Sequence, residues 1–315
     1  MHPLFIIPIS LVILTLAVAY ISYRMVFYAD RKNQATLYRG LDGDLDDLKR
    51  RKKELIEKLS SLPYEDIYIT GHGGVKLHAK FYEAKKNAPV AIQFHGYKSL
   101  STRDFCGGAL ECLAMGQSVL LVDQRAHAES RGRVITFGIK ERRDAVLWIS
   151  YAVERFGSDT PIFLYGISMG AATVLMASEL NLPESVAGIV ADCPYSSIGG
   201  IIRTVCKNRG LPSRLLYPFI WLGALIFGGF AINKSPLSAV RRTDIPILLI
   251  HGEGDTFVPI SMSDELAEAG KTIEYRRIPN ATHGLSMLYD RDAYLAALNE
   301  FINEISETKE KNHEA

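Results

Sequence analysis

The decapeptide LYGISMGAAT, Leu164 to Thr173, decides the fold. Its one serine, Ser168, has Gly166 two places before it and Gly170 two places after it. The apolar run PIFLY (161–165) precedes it, and the small-residue run AATVLMAS (171–178) follows. The first run reads as a buried strand and the second as the opening of a helix. A serine at so tight a strand-to-helix turn has a strained backbone, and side chains two residues to either side would collide with the adjoining elements. Glycine at both places removes those collisions. The hydroxyl then projects above the carboxyl edge of the sheet, where ligands bind in this architecture. A helix starting at Met169 points its free backbone N–H groups at the same place.

Outward from this turn the chain keeps one rhythm. Short β-rich runs occur at 65–70, 75–82, 89–95, 118–124, 161–166, 187–192, 246–251 and 272–278. Gly-His-Gly-Gly separates the first two and reads as a hairpin turn. The middle runs are almost wholly apolar, as strands covered on both faces must be. Helix-length stretches alternate with them: Thr102 to Met115, Ile139 to Phe156, Met169 to Leu180, Ser261 to Ala269 and Asp290 to Ile305. This alternation predicts an α/β fold, an eight-stranded and mostly parallel sheet with helices on both faces.

Composition excludes several classes. Of 315 residues, 48% are hydrophobic and 23% charged, which suits a globular protein with a sizeable core. The net charge of +1 gives no global attraction to nucleic acid. The four cysteines, Cys106, Cys112, Cys193 and Cys206, form no C-x-x-C pair and have no metal-like spacing. No P-loop pattern occurs. Neither a metal nor a cofactor is expected.

A serine hydroxyl is a poor nucleophile alone; it needs a base, and the base needs an orienting acid. In this topology both follow later in the chain, acid before histidine. Asp255 comes just after the seventh run, in ILLIHGEGDTFVP, and His283 just after the eighth, in RRIPNATHG. Both sit in polar loops at strand carboxyl ends. Of the rival acids, Asp244 precedes its strand, at the wrong edge of the sheet, and Asp264 falls within the next helix.

From about Glu65 to Ile305, about three quarters of its length, the chain resembles an α/β-hydrolase-fold serine hydrolase of the bacterial esterase, lipase and peptidase type. The resemblance rests on FHGYKS (94–99), VDQRAHAES (122–130), GISMG (166–170), HGEGDTFVP (251–259) and THG (282–284). It implies that Ser168 attacks an acyl carbonyl, that His283 shuttles the proton and that Asp255 holds the imidazole. It also implies an oxyanion hole built from the Met169 N–H and the Tyr97 N–H, beside His95-Gly96. His95, Asp123, Arg125 and His127 then brace the loops behind the site. The family often has glycine where this chain has Ala126 and Ala128, a departure that leaves the triad untouched.

Two apolar stretches remain. Pro3 to Tyr23 is 21 residues without a charge, long enough to cross a bilayer. Only Met1 and His2 stand ahead of it, whereas Arg24, Arg31, Lys32 and Arg39 follow. A secretory signal normally opens with a basic segment, and this one does not; Ala17-Val18-Ala19 resembles a cleavage site, which keeps a cleaved signal as the alternative reading. The charge asymmetry favours an uncleaved single-pass anchor with the bulk of the chain in the cytoplasm. The second stretch, Leu215 to Ile232, has 18 uncharged residues. Were it to span the membrane, Ser168 would be parted from Asp255 and His283. It therefore reads as a cap over the active-site edge or a helix lying in the bilayer surface. Tyr217, Phe219, Trp221 and Phe227 are candidates for lining an apolar pocket.

The expected organisation is a transmembrane anchor over 1–24, a charged linker with a solvated helix over 25–63, and an α/β-hydrolase domain over 64–309. A cap insertion is expected after the sixth strand, over about 197–236. In that helix Leu45, Leu48, Leu55 and Leu59 make a thin apolar stripe, and the basic cluster Lys49 to Lys53 would face anionic lipid headgroups. These readings predict a membrane-bound serine hydrolase of carboxylic esters, lipid or acyl esters among them, working through an acyl-enzyme. A peptidase or amidase uses the same machinery, as does acyl transfer to an alcohol. A non-catalytic hydrolase-like scaffold is the reading outside the enzymes.

Overall fold

All eight apolar runs form strands, each end within one residue of its expected place. The computed structural model describes residues 3–30 and 46–314. The strands are β1 (Glu65–Thr70), β2 (Lys76–Tyr82), β3 (Val90–Phe94), β4 (Ser118–Asp123), β5 (Ile162–Ile167), β6 (Val186–Asp192), β7 (Ile247–Gly252) and β8 (Ile273–Ile278). The helices are α1 (Pro3–Val26), α2 (Asp47–Ser61), α3 (Ser101–Asp104), α4 (Cys106–Ala114), α5 (Glu141–Phe156), α6 (Met169–Ala177), α7 (Ile198–Asn208), α8 (Ser213–Ile226), α9 (Pro236–Val240), α10 (Ser261–Ala269), α11 (Ser286–Tyr289) and α12 (Arg291–Glu314).

The strands form one sheet in the order β1-β2-β4-β3-β5-β6-β7-β8. β2 alone runs opposite to the other strands. The β1–β2 turn works because Gly73 and Gly74 hold φ of 77° and 76°, a region closed to most residues with a Cβ. Strands β3, β4, β6 and β7 are buried along their whole length, and β5 in all but its last residue, which is why their sequences are apolar throughout. One face of the sheet packs on α5 and α6, with Trp148 and Leu175 in its core. The other packs on α4 and α12, with Phe301 and Leu298.

The chain between β6 and β7 carries α7, α8 and α9. A third apolar cluster gathers over the carboxyl edge of the sheet, and α1 belongs to it. At the foot of α1, Phe27 is fully buried, with its ring edge-on to Phe137 and Phe230 at 5.7 and 5.2 Å. The chain then bridges Val134 through Tyr28, and Ile135 N–H donates to the Phe27 carbonyl at 2.8 Å. Helix α8 lies on α1 so closely that a Cβ on Gly223 would overlap the Ala19 carbonyl. The aromatic rings of Tyr20 and Tyr23 pack on Phe227. Anchor and cap, read from the sequence as separate, are therefore one packed unit.

Helix α2 also differs from the solvated linker helix expected of it. Asp46 caps it by accepting the Lys49 N–H at 2.9 Å. Ile56 and Leu59 are fully buried, and α2 packs on α4. The leucine stripe passed over Ile56, which stands three residues before Leu59 and so beside it on the helix surface. Leu45 and the flanking charges Arg31, Lys32 and Arg39 lie outside the described residues.

Candidate active site

Ser168 stands between β5 and α6 with φ 55° and ψ −113°. For a residue with a side chain, that backbone costs about 1–3 kcal/mol and persists only where its surroundings enforce it. The surroundings here are glycine contacts. A Cβ on Gly166 would overlap the backbone of Gly170 and Ala171, and one on Gly170 would overlap the Phe94 carbonyl at the end of β3. The Ser168 N–H donates to the Asp192 carbonyl at 2.8 Å, which ties the turn to β6.

Two loops at the carboxyl edge complete a chain of hydrogen bonds. His283 Nε2 lies 3.0 Å from Ser168 Oγ, and His283 Nδ1 lies 2.6 Å from Asp255 Oδ2. A carboxylate only accepts, so Nδ1 carries the proton and Nε2 is free to accept from the serine. Asp255 Oδ1 accepts the backbone N–H groups of Phe257 and Val258 at 2.8 and 2.9 Å. Burial pushes the Asp255 carboxyl up, but the hydrogen bonds from His251 and His283 outweigh it and hold the group below the usual carboxylate range. Asp244 is exposed in the loop before β7, and Asp264 bonds Tyr275 and Arg277. Neither rival joins the site.

The donors expected for an oxyanion are the Met169 and Tyr97 N–H groups. Met169 is the first residue of α6, so its N–H has no intrahelical acceptor. Among the described residues the Tyr97 N–H has no hydrogen-bond partner. Its loop is fixed on both flanks. The Gly96 N–H donates to Asp104 Oδ2 at 2.8 Å, and the Lys98 N–H donates to His127 Nε2 at 3.0 Å. Burial pushes His127 down to about 3, so it stays neutral and can accept. His95 is fully buried; Nδ1 bonds the Gly96 carbonyl and Nε2 accepts the Gln124 N–H. Asp123 holds His78 and Ser101, while Arg125 holds Asp144. Ala126 and Ala128 take φ of 65° and 42°, the left-handed conformation that glycine adopts without strain.

Ser168 opens into a mainly apolar cavity of about 380 Å³. From α8 it is lined by Leu216 and Ile220, one helical turn apart, and from α7 by Ile201, Ile202 and Val205. None of the four aromatics expected to line it does so. Tyr217 stacks under Arg203, Phe227 faces α1, Trp221 is exposed and Phe219 lies outside the lining. Composition had marked the right helix, but its rotation was set by the contact of Gly223 with α1. The aromatic lining comes from Tyr97, Phe137, Tyr195 and Phe257 instead.

A family model of the alpha/beta hydrolase fold matches residues 92–209, from within β3 to just past α7. The esterase Pf2001 of Pyrococcus furiosus superposes with a TM-score of 0.64 at 24% identity, over 84% of this chain and 95% of that one. The chain has the α/β-hydrolase fold. It is 27% identical to the uncharacterized protein YqkD of Bacillus subtilis (strain 168), over 63% of its own length and 66% of the relative's. It is 26% identical to the bifunctional esterase/perhydrolase DCH of Acinetobacter calcoaceticus, over 69% of its length and 93% of that protein's. The chain spans 49% to 66% of the length of four other curated relatives, YqkD among them.

Three residues of the candidate site escaped the sequence reading. His251, at the end of β7, is fully buried; its Nε2 lies 3.0 Å from the Val258 carbonyl and 3.2 Å from Asp255 Oδ2. The carbonyl can only accept, so Nε2 carries the proton and also faces the carboxylate. Asp192 ends β6 and accepts the Ser286 hydroxyl at 3.0 Å. An acid at a strand's carboxyl end is the signal that found Asp255, and it applied to Asp192 equally. Cys193 follows, with its sulfur, the Asp255 carboxylate and the His283 ring within 4.8 Å of one another. Burial pushes the Cys193 thiol well up, so it is protonated, and both ring nitrogens of His283 are engaged. That set suits hydrogen bonding rather than metal ligation.

Proposed function

We propose that the protein is a membrane-anchored serine hydrolase of carboxylic esters. The observation that carries this is the hydrogen-bond chain from Ser168 Oγ through His283 to Asp255, at 3.0 and 2.6 Å. In the proposed reaction His283 Nε2 takes the serine proton as Oγ attacks the acyl carbonyl. The oxyanion accepts from the Met169 and Tyr97 N–H groups; losing one such donor typically costs about 10²–10³ in rate. His283 passes the proton to the leaving alkoxide, and an acyl ester remains on Ser168. Water, deprotonated by His283, then releases the acid. Asp255 keeps its charge and stabilises the imidazolium formed in each step. The preference for esters is supported by the apolar cavity and by the two relatives named as esterases.

Anchoring by an uncleaved α1 is supported by its length and composition over Ile7–Val26 and by the burial of Phe27 at its foot. The cytoplasmic side rests on the charges that follow α1 in sequence; protease protection in sealed vesicles reads it directly. The chemistry is tested with a fluorophosphonate. The full chain is expected to take the label on Ser168, and Ser168→Ala to take none. Equal labelling of that variant would remove Ser168 from the mechanism.

A further inference from the structure

Helix α1 does more than adjoin the cap. Val18, Ile21, Ser22, Met25 and Val26 all line the cavity that holds Ser168. Their spacing of three, four, seven and eight residues from Val18 makes them one continuous stripe of the helix. A second stripe, Ala19 and Tyr23, is buried against α8. Toward the N-terminus of the helix, Leu11, Val12, Ile13 and Leu14 are bare to the surroundings.

The foot of α1 is bonded to the loop that offers the oxyanion donor. Tyr97 Oη donates to the Val26 carbonyl at 2.6 Å, and Lys98 Nζ donates to the Met25 carbonyl at 3.3 Å. Helix α8 exposes Leu215, Leu225 and Ile226 beside α1. A helix long enough to cross a bilayer, an exposed apolar face on its neighbour and an apolar cavity walled by both are thus continuous. Among the described residues, the charges lining the cavity belong to Lys98 and Arg209.

From this continuity we propose that α1 is a wall of the substrate site as well as an anchor, and that the site takes the long acyl chain of a membrane lipid ester, which enters from the bilayer along the Val18–Val26 stripe. The proposal rests on the ester-hydrolase reading. It adds the substrate class, and it makes the membrane helix part of chain-length selection.

The test uses the full chain in phosphatidylcholine vesicles. Hydrolysis of nitrophenyl esters from acetate to palmitate is measured beside the rate of Ser168 labelling by a small fluorophosphonate. Each buried methylene is expected to raise kcat/KM by about fourfold until the cavity is full. Ile21→Trp, which fills the stripe, is expected to lower kcat/KM for the dodecanoate ester at least about tenfold by the same reckoning. The ratio of dodecanoate to acetate kcat/KM is expected to fall by about the same factor, which separates loss of the acyl wall from a general loss of activity. Leu14→Trp, on the outward face, should change none of these. A chain-length profile unaltered in Ile21→Trp overturns the proposal and leaves the hydrolase reading standing. Absence of labelling in the parent instead removes the hydrolase reading. In that second case a palmitate carrying a diazirine, photolysed in the same vesicles, reads the cavity without any chemistry at Ser168. Cross-links at Val18, Ser22 or Val26 together with the buried lining residues Ile202 or Ile220 support an acyl site walled by α1, and their absence overturns it.

Discussion

Ser168 is positioned by what its neighbours lack. Side chains at 166 and 170 would drive the turn away from β3 and α6, and φ of 55° would then have nothing to enforce it. Asp192 illustrates the opposite case, a group that the site strains electrostatically. Burial pushes its carboxyl up to about 6, against an ordinary value of about 3.9. Below pH 4 the group is protonated in both folded and unfolded chains and costs nothing. As the pH rises the unfolded chain ionises first, so native stability falls until the native group ionises near 6. Asp192→Asn keeps an acceptor for Ser286 and cannot ionise. Its stability relative to the parent is expected to be unchanged at pH 4 and to gain about 2–3 kcal/mol by pH 7. Thermal unfolding at several pH values measures this, and a gap that does not vary with pH would mean that Asp192 titrates normally.

At the scale of elements, strands were legible and helix faces were not. A strand buried on both faces must be apolar at every position, so β3 to β7 announce themselves without tertiary information. A helix shows only that some face is apolar, and which neighbour meets it depends on the rest of the fold. Helix α2 read as a solvated linker because its charges outnumber its apolar residues, yet Ile56 and Leu59 are fully buried over α4. Leu59→Ala is therefore expected to cost about 2–4 kcal/mol through the cavity it leaves. Denaturant unfolding that finds under about 0.5 kcal/mol, the range of ordinary surface changes, would return α2 to the status of a detached linker.

For the whole molecule, the apolar surface is concentrated on α1 and the outer side of α8. Scattered exposed leucines need no explanation, but a contiguous patch of this kind marks a lipid or protein contact. Because α1 is packed against α8 and bonded through Tyr97 and Lys98, its loss would open the cavity and uncover the ring of Phe137. The chain is expected to keep its N-terminal residues in the mature protein and to stay in the membrane pellet after alkaline carbonate extraction. Recovery in the supernatant of a chain beginning near Ala19 would show α1 to be a cleaved signal.

Local signals determined the sheet, the strained serine turn and the candidate acid and base. Apolar runs, paired glycines and polar loops at strand ends carry their meaning within a few residues, and the order along the chain does the rest. Tertiary structure decided which side chains face the cavity, that His251 steadies Asp255, and that the first helix closes the site. Those facts depend on helix rotation and on contacts between residues as distant as Ala19 and Gly223, which no local pattern encodes.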